Sequence, residues 1–343
     1  MKIIIKIINI FRRFTKSVGK RERKLIRLIA FLNWCSRKDT NNLIFDEKKI
    51  LRPIDDFKKD QLWPKKIAVF IIFFYKEERI KFLKKICENL EKIDNNIDIT
   101  LIVNKVGFDK KEEIKNKISS NTSLKIDFFY PKNLLDPRLL TYSHFEVVKQ
   151  KLLDKSITHY LYLEDDILIK PENIKYWVIA NESLKKYGLI PVFLRTEKNK
   201  IDNELYLVDS IQKNNVFWQP KIATQKKDCG FINLLDYFTP AYFYTRELML
   251  EHIEGPSGSI DFGHATYDER WNIPKMQEQG VMERASTLLA FKDIPKGFLH
   301  RNVVPIDFNK KILKNYCLIE HLSDRFTNVD SCFGNIKVNN IFK

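Results

Sequence analysis

The chain has 343 residues, of which 44% are hydrophobic and 13% aromatic, and these fractions fit a folded globular protein. That length leaves room for one large domain or two small ones. The formal charge of +16 favours polyanionic partners: nucleotides, phosphorylated glycans, nucleic acid or an anionic membrane surface. The five cysteines are odd in number and include no Cys-x-x-Cys pair. They argue against a disulfide framework or a zinc site and predict reduced thiols in a cytosolic setting.

The positive charge is concentrated at the beginning of the chain. Residues 1–40 hold 12 Lys and Arg against two acids, so +10 of the +16 lies there, interleaved with apolar side chains. No uncharged run approaches the ~20 residues that span a bilayer, and no small-residue cleavage site follows an apolar stretch. We predict a basic amphipathic arm lying on an anionic inner leaflet. A helix packed on the main domain is the alternative, and without a recognition motif no nucleic-acid partner is expected.

Beyond a linker or wrapping segment predicted at 41–65, apolar strand patterns alternate with helical ones. Such alternation predicts an α/β fold with a mostly parallel, Rossmann-like sheet flanked by helices. No Gly-x-Gly-x-x-Gly or P-loop pattern occurs, which argues against a dinucleotide-binding site and a P-loop. The predicted strands are 66–74, 97–104, 124–130 and 158–163; the predicted helices are 77–93, 109–118 and one from a Ser143–Glu146 capping box to about Leu153.

The fourth of these strands runs directly into three carboxylates, Glu164, Asp165 and Asp166. Burying such a triplet is costly unless it is paired or binds a metal. The carboxyl end of a strand in an open α/β sheet is also where such sheets bind ligands. Clustered oxygen ligands suit Mg²⁺ or Mn²⁺ together with substrate phosphates. The alternative is a solvated acidic turn.

Polar side chains also follow the other strands. Tyr75 and Arg79 come after the first strand and Asn104 after the second, where they are placed to hold a nucleotide base and ribose. An ordinary helix-entry loop is the alternative for this segment. Arg138 is a candidate for neutralising phosphate charge, with a surface cation as the alternative. Arg195 and Glu197 come directly after a later buried strand, where they are candidates for facing a ligand.

The second half of the chain is patterned less regularly. A helix is predicted from Pro171 to Gly188, strands at 189–195 and 204–208, and a strand-like entry at 238–246 into a helix that stops at Gly255. A short strand pattern at 297–301 contains His300. Residues 306–343 are polar and weakly patterned, and we predict a C-terminal extension there.

The acidic motif and its place in the strand order resemble glycosyltransferases of the GT-A fold. The resemblance covers residues 66–305 and implies a nucleotide-binding half, 66–170, and an acceptor half, 171–305. In that fold the motif binds a nucleotide-sugar diphosphate through a divalent cation. The resemblance implies that Asp166 ligates Mn²⁺ or Mg²⁺ and that Glu164 and Asp165 reach the ribose or metal-bound water. It also implies that His300 lies beside the diphosphate or metal, and that Arg195 and Glu197 face the donor sugar or the acceptor. The first acid is Glu164 rather than Asp, so the match is to a looser form of the motif.

A second acidic cluster, Asp261, Asp268 and Glu269, lies beside His264 and Trp271. Aromatic faces stack on sugars, and a carboxylate takes the proton from an acceptor hydroxyl. If the enzyme inverts, Asp268 or Glu269 is the candidate general base, with Asp261 behind them. The alternative is that these are helix-cap and surface acids.

These patterns lead to a functional prediction. We expect a metal-assisted glycosyltransferase, peripheral on the inner face of the cytoplasmic membrane, that moves a sugar from a nucleotide-diphosphate donor to a cell-surface glycan or lipid-linked acceptor. One alternative is a nucleotidyltransferase built on the same half-sheet. Another is a non-catalytic, basic protein that binds membrane or nucleic acid.

Overall fold

The computed structural model of the protein describes residues 43–93, 96–119, 124–132, 134, 136–209, 221–224, 228–234, 240–255, 285–329 and 333–341. The basic arm at 1–40 therefore lies outside the described residues. Within these ranges, no helix is both long enough and apolar enough to cross a membrane. Three cysteines in these ranges, Cys87, Cys229 and Cys317, are buried free thiols, as predicted for them.

The described chain alternates short strands and helices. The strands are β1 (Ile67–Phe73), β2 (Ile97–Val103), β3 (Ile126–Phe129), β4 (His159–Glu164), β5 (Ile167–Leu168), β6 (Ile190–Pro191), β7 (Leu194–Lys198), β8 (Leu205–Leu207), β9 (Lys221–Ala223), β10 (Cys229–Ile232), β11 (Ala241–Thr245), β12 (Asn302–Asp307), β13 (Ile312–Leu313), β14 (Leu318–His321) and β15 (Ile336–Lys337). The α-helices are α1 (Glu47–Leu51), α2 (Ile54–Phe57), α3 (Ile80–Ile93), α4 (Lys105–Asp109), α5 (Lys111–Ser119), α6 (His144–Lys151), α7 (Pro171–Leu184) and α8 (Arg246–Glu254).

The main sheet has the order β11-β4-β1-β2-β3. Strands β1 to β4 are parallel, and β11 joins antiparallel to β4 at one edge. Every residue of β1 is buried, as expected of a central strand covered on both faces. This confirms the predicted α/β class with parallel strands and flanking helices.

Helix α3 shows why the local sequence folds as it does. Its apolar residues recur at helical spacing, so one stripe of the helix faces the core while lysines and glutamates cover the rest. The whole stripe is buried: Ile80, Leu83, Ile86, Cys87, Leu90 and Ile93. A 3₁₀ turn, Glu77–Arg79, leads from β1 into this helix and holds Arg79 at the carboxyl edge of the sheet.

Two smaller sheets complete the core. One has the order β13-β12-β10-β9, with β6 paired to β12; the other has the order β15-β8-β7-β14-β5. In the second, β14 pairs antiparallel with β5 and parallel with β7. We expected weak patterning after residue 306, but this segment supplies β13, β14 and β15. The strands are only two to four residues long, too short to show a clear period.

The segment 43–65, predicted as a linker or a wrapping segment, contains α1 and α2 and buries Ile50, Phe57 and Trp63. Two other local features differ from the predictions. The strand expected at 297–301 begins only at Asn302. The Ser143 capping box is wrong, because a 3₁₀ helix precedes α6 and Ser143 has a helical φ of −66° with no side-chain cap bond.

A buried histidine, His144, joins α6 to the edge of the main sheet. Its Nδ1–H donates to the carbonyl of Thr141, and its Nε2 accepts from the Tyr242 hydroxyl at 2.7 Å. Burial lowers the pKa of His144 to about 3, only partly opposed by the Thr141 bond. The side chain is therefore neutral in the folded protein at neutral pH.

This burial makes stability depend on pH. Because the folded pKa of His144 is below the unfolded value near 6.5, the unfolded chain binds more protons below that pH and stability falls as pH drops. The contribution of one such group approaches ~1.4 kcal/mol per pH unit. We expect His144→Gln to reduce the slope of unfolding free energy between pH 6.5 and 5.0 by about that amount, measured by urea titration. Tyr242→Phe breaks the same bond but should keep the wild-type slope; equal slopes in all three proteins would contradict the assignment.

Candidate functional site

The acidic triplet lies at the carboxyl edge of the main sheet, in the turn from β4 to β5. Glu164 is the last residue of β4 and is in register with Ile72 of β1. The exposed fractions of Glu164, Asp165 and Asp166 are 8%, 3% and 0%. The solvated-turn alternative is therefore excluded, and the cost of burying adjacent carboxylates must be met by partners.

One partner is Arg79, from the turn after β1. Its Nη2 donates to Asp165 Oδ1 and, at 2.8 Å, to Asp166 Oδ2. The Arg79 side chain is 22% exposed, so it reaches from solvent onto the buried acids. Parallel pairing of β1 and β4 brings the two turns together, as predicted for the strand ends.

A second partner is His321, from the end of β14. Its Nε2 lies 3.2 Å from Asp166 Oδ2 and 2.9 Å from Ser323 Oγ, and its Nδ1 lies 2.5 Å from Glu197 Oε1. A histidine that faces two carboxylates donates from both nitrogens only as the imidazolium. Burial alone would lower the pKa of His321, but the bonds to Asp166 and Glu197 raise it above the usual 6.5.

Glu197, on β7, holds this histidine and the turn that follows it. Besides His321, its carboxylate accepts the main-chain N–H groups of residues 325, 326 and 327 at 3.0, 3.0 and 2.7 Å. Glu197 is 1% exposed. Although burial would raise its pKa, the His321 bond and the main-chain donors hold that pKa below the ordinary value.

Arg195 adds a separate ion pair beside this cluster. Its Nε donates to Asp209 Oδ2 at 3.1 Å and its Nη2 donates to Asp209 Oδ1, so the two side chains form a bidentate pair. The guanidinium also lies 5.5 Å from the ring centre of Phe326. Asp209 therefore engages this edge of the Arg195 guanidinium.

The two aspartates differ in charge preference. Burial raises the pKa of Asp165 well above its usual value, against the lowering effect of Arg79. Burial also opposes ionisation of Asp166, but the His321 bond and the charges of His321, Arg79 and Arg325 bring its pKa below the usual range. Of the two, Asp166 has the stronger preference for the charged form, and it is the one that contacts both Arg79 and His321.

Two buried carboxylate oxygens decide whether this site fits a divalent cation. Asp165 Oδ2 and Asp166 Oδ1 have no hydrogen-bond partner within the described ranges. Those ranges hold no group of three or more His, Cys, Asp or Glu side chains that could hold a metal ion. Mg²⁺ and Mn²⁺ commonly take only one or two carboxylates, with phosphates and water completing the shell. The aspartate pair fits such a partial site.

The other predicted nucleotide contacts are partly brought to the same edge. Asn104 caps α4, and its Oδ1 accepts the main-chain N–H of both Tyr75 and Gly107 at 3.2 Å. This bond ties the end of β1 to the end of β2. Arg138 is not brought to the triplet: its side chain is 70% exposed and grips Asp136 through Nε and Nη2.

The predicted metal-side histidine, His300, is placed elsewhere. It is 3% exposed, with Nε2 2.8 Å from the Leu234 carbonyl and Nδ1 3.4 Å from Asn233 Nδ2. With both ring nitrogens engaged, this arrangement does not offer it as a ligand. His321, which sequence reasoning left unassigned, is the histidine that contacts Asp166. No local signal marked His321, because β14 is only four residues long and its pairing with β5 and β7 is what brings the histidine to Asp166. The candidate general bases Asp261, Asp268 and Glu269 lie outside the described residues, as do His264 and Trp271.

Comparisons with known proteins give weak likenesses. No protein-family model matches the chain. A sequence search finds the CRISPR-associated endonuclease Cas9 of Francisella tularensis subsp. novicida, 27% identical over 199 residues; the match covers 56% of this chain and 11% of that protein's length. This level of identity and coverage shows no shared family.

Several solved structures share part of the architecture. They include a 4-diphosphocytidyl-2C-methyl-D-erythritol synthase from Anaerococcus prevotii (14% identity, 62% of this chain and 83% of that chain, TM-score 0.32). A mannosyltransferase, PcManGT from Pyrobaculum calidifontis, in complex with GDP-Man and Mn²⁺, is 8% identical over 51% of this chain and 44% of its own (TM-score 0.32). S. aureus TarS 1-349 is 14% identical over 55% and 49% (TM-score 0.31). At these scores the likenesses carry no functional argument.

The role of Glu197 predicts a large stability effect. In Glu197→Gln, an amide N–H₂ replaces one carboxylate oxygen that accepts a hydrogen bond from His321 or from the main chain. The buried amide N–H₂ then faces another hydrogen-bond donor and neither is satisfied. We expect a loss of about 2–4 kcal/mol in unfolding free energy, measured by urea denaturation. Glu204→Gln, on an exposed position of the same hairpin, is the matched control and should change little. A Glu197→Gln protein as stable as the control would contradict this network.

Proposed function

We propose that this protein is a glycosyltransferase that moves a sugar from a nucleotide-diphosphate donor to a glycan or lipid-linked acceptor, assisted by Mn²⁺ or Mg²⁺. The observation that carries the proposal is the buried Asp165–Asp166 pair at the carboxyl edge of a parallel sheet, with one unpartnered oxygen on each carboxylate among the described residues. Ligands bind at that edge in open α/β sheets. A resident structural cluster has no need of spare buried acceptors.

The residues at this edge divide the work of binding. Asp166, with Asp165 and Glu164 beside it, would hold the cation, which when bound supplies positive charge for the leaving diphosphate. His321 and Glu197 fix the Asp166 carboxylate in place, so that little reorganisation is needed on binding. Tyr75 and Asn104, at the ends of β1 and β2, are proposed to line the nucleoside side, and Arg195 the sugar side.

The acceptor half of the proposal rests on the sequence. Asp268 or Glu269 would accept the proton of the acceptor hydroxyl, with Asp261 behind them. The basic arm at 1–40 would hold the protein on an anionic membrane surface, where a lipid-linked acceptor is presented.

Ligand-induced stabilisation tests the proposal. Melting would be followed with nucleoside diphosphates, nucleotide sugars and nucleoside triphosphates, each with Mn²⁺, with Mg²⁺ and with chelator. A nucleotide sugar at ~100 times its Kd adds about 2.7 kcal/mol of stability. We expect this only with metal and not in Asp166→Asn. Asp154→Asn, at the amino end of the same strand and paired with Lys66, is the matched control and should respond like wild type.

The other outcomes separate the alternatives. Stabilisation by a nucleoside triphosphate alone would favour a nucleotidyltransferase. No response to any nucleotide, with or without metal, would contradict both enzyme proposals and leave a non-catalytic binding protein.

A further inference from the structure

Four arginines pair with carboxylates in the described structure, and their geometries differ. Arg301 uses two nitrogens for two partners, Nη1 for Glu251 and Nε for the Gly188 carbonyl. Arg195 and Arg138 each form a bidentate pair, in which Nε and Nη2 donate to the two oxygens of one carboxylate. The carboxylate is that of Asp209 for Arg195 and of Asp136 for Arg138. This two-pronged geometry is typical of a permanent pair because the planar fork matches the carboxylate. Arg79 is different: one nitrogen, Nη2, bridges two separate carboxylates.

The bridging arrangement leaves several groups unsatisfied. Arg79 Nε is buried without a hydrogen-bond partner in the described part of the chain, and so are Asp165 Oδ2 and Asp166 Oδ1. Each unmade bond to a buried polar atom costs free energy. The contact therefore neutralises charge without completing the hydrogen bonds of either side, whereas His321 and Glu197 satisfy each other and the neighbouring main chain.

Arg79 is also the member of this cluster whose side chain reaches solvent. Its side chain is 22% exposed, whereas Asp166 and His321 are fully buried. It begins in a three-residue 3₁₀ turn rather than in the middle of a strand. A guanidinium on this flexible stem can leave the carboxylates without moving the sheet.

We propose that Arg79 is an exchangeable counter-cation: it neutralises the Asp165–Asp166 pair until a divalent cation replaces it there, and it then pairs with the diphosphate of the donor. This inference rests on the proposed function for the second step only. Two cations compete for the same oxygens, so the metal alone binds weakly. When the diphosphate binds together with the metal, Arg79 leaves the aspartates and pairs with the diphosphate instead. Because the arginine then keeps an anionic partner, metal and diphosphate bind cooperatively.

The first step is tested with Mn²⁺ alone, counting free ion by its electron paramagnetic resonance signal. Removing the competing charge in Arg79→Met should lower the Kd for Mn²⁺ about tenfold. Arg138→Met removes an equally charged, exposed arginine and should leave the Kd unchanged. Adding Asp166→Asn to Arg79→Met should abolish the gained binding. An Mn²⁺ affinity in Arg79→Met that equals or falls below that of wild type, or no binding in either protein, would overturn the exchange.

A second pair of variants covers the case in which Arg79→Met alone does not fold. In Asp165→Asn/Arg79→Met one buried carboxylate is removed together with the arginine, so fewer buried charges lack a partner than in Arg79→Met. This double variant should bind Mn²⁺ about tenfold more tightly than Asp165→Asn, from which it differs only at Arg79. Equal affinities in this pair would overturn the exchange as well.

The second step is tested with inorganic pyrophosphate in excess Mn²⁺, by calorimetry. We expect about tenfold weaker pyrophosphate binding in Arg79→Met and wild-type binding in Arg138→Met. Unchanged binding in Arg79→Met would overturn the transfer to the diphosphate. The Mn²⁺ measurement involves no nucleotide, so it tests the Arg79 exchange separately from the proposed function. The exchange can be disproved while nucleotides still stabilise the protein, and it can be supported even if no nucleotide stabilises the protein.

Discussion

Three consecutive carboxylates buried at the end of one strand are the constraint around which this structure is arranged. Isolated charges in such a place would be prohibitively costly. The fold meets the cost with two basic groups from separate parts of the chain, Arg79 after β1 and His321 on β14, and Glu197 on β7 holds His321 in place. The pairing is still incomplete, because each aspartate keeps a buried oxygen with no partner in the described ranges. That remaining capacity is what distinguishes a binding site from a structural ion cluster.

The same constraint ties the end of the chain to its centre. Strand β14 lies between β5 and β7, and the main-chain N–H of Leu322 donates to the Asp166 carbonyl at 2.8 Å. Glu197 then fastens the turn at 325–327 through main-chain bonds. The segment that contains His321 is therefore held in place by Asp166 and Glu197, the two acids that His321 contacts. The aspartate pair and this turn are thus physically linked through His321 and Glu197.

Sequence reasoning was most successful where short-range pattern decides structure. The apolar runs of β1, β2 and β4 and the amphipathic stripe of α3 predicted these elements closely, because burial on both faces or on one stripe leaves a clear period. It also placed the acidic triplet and Arg79 at one edge, since parallel strands end together. It missed His321 because that residue and Asp166 are 155 positions apart and meet through strands too short to show a period. The same reasoning chose His300, whose ring nitrogens are engaged by Asn233 and Leu234.

What the sequence by itself determined is the α/β class, the central parallel strands and the position of the carboxylates, because each depends on a local pattern of burial and on chain order. Only the tertiary structure decided which cations meet those carboxylates. Arg138 and His300 are as plausible from composition as Arg79 and His321, but pairing of distant strands brings only the second two to the acids. Long-range strand pairing is a property of the whole core, and no local sequence period encodes it.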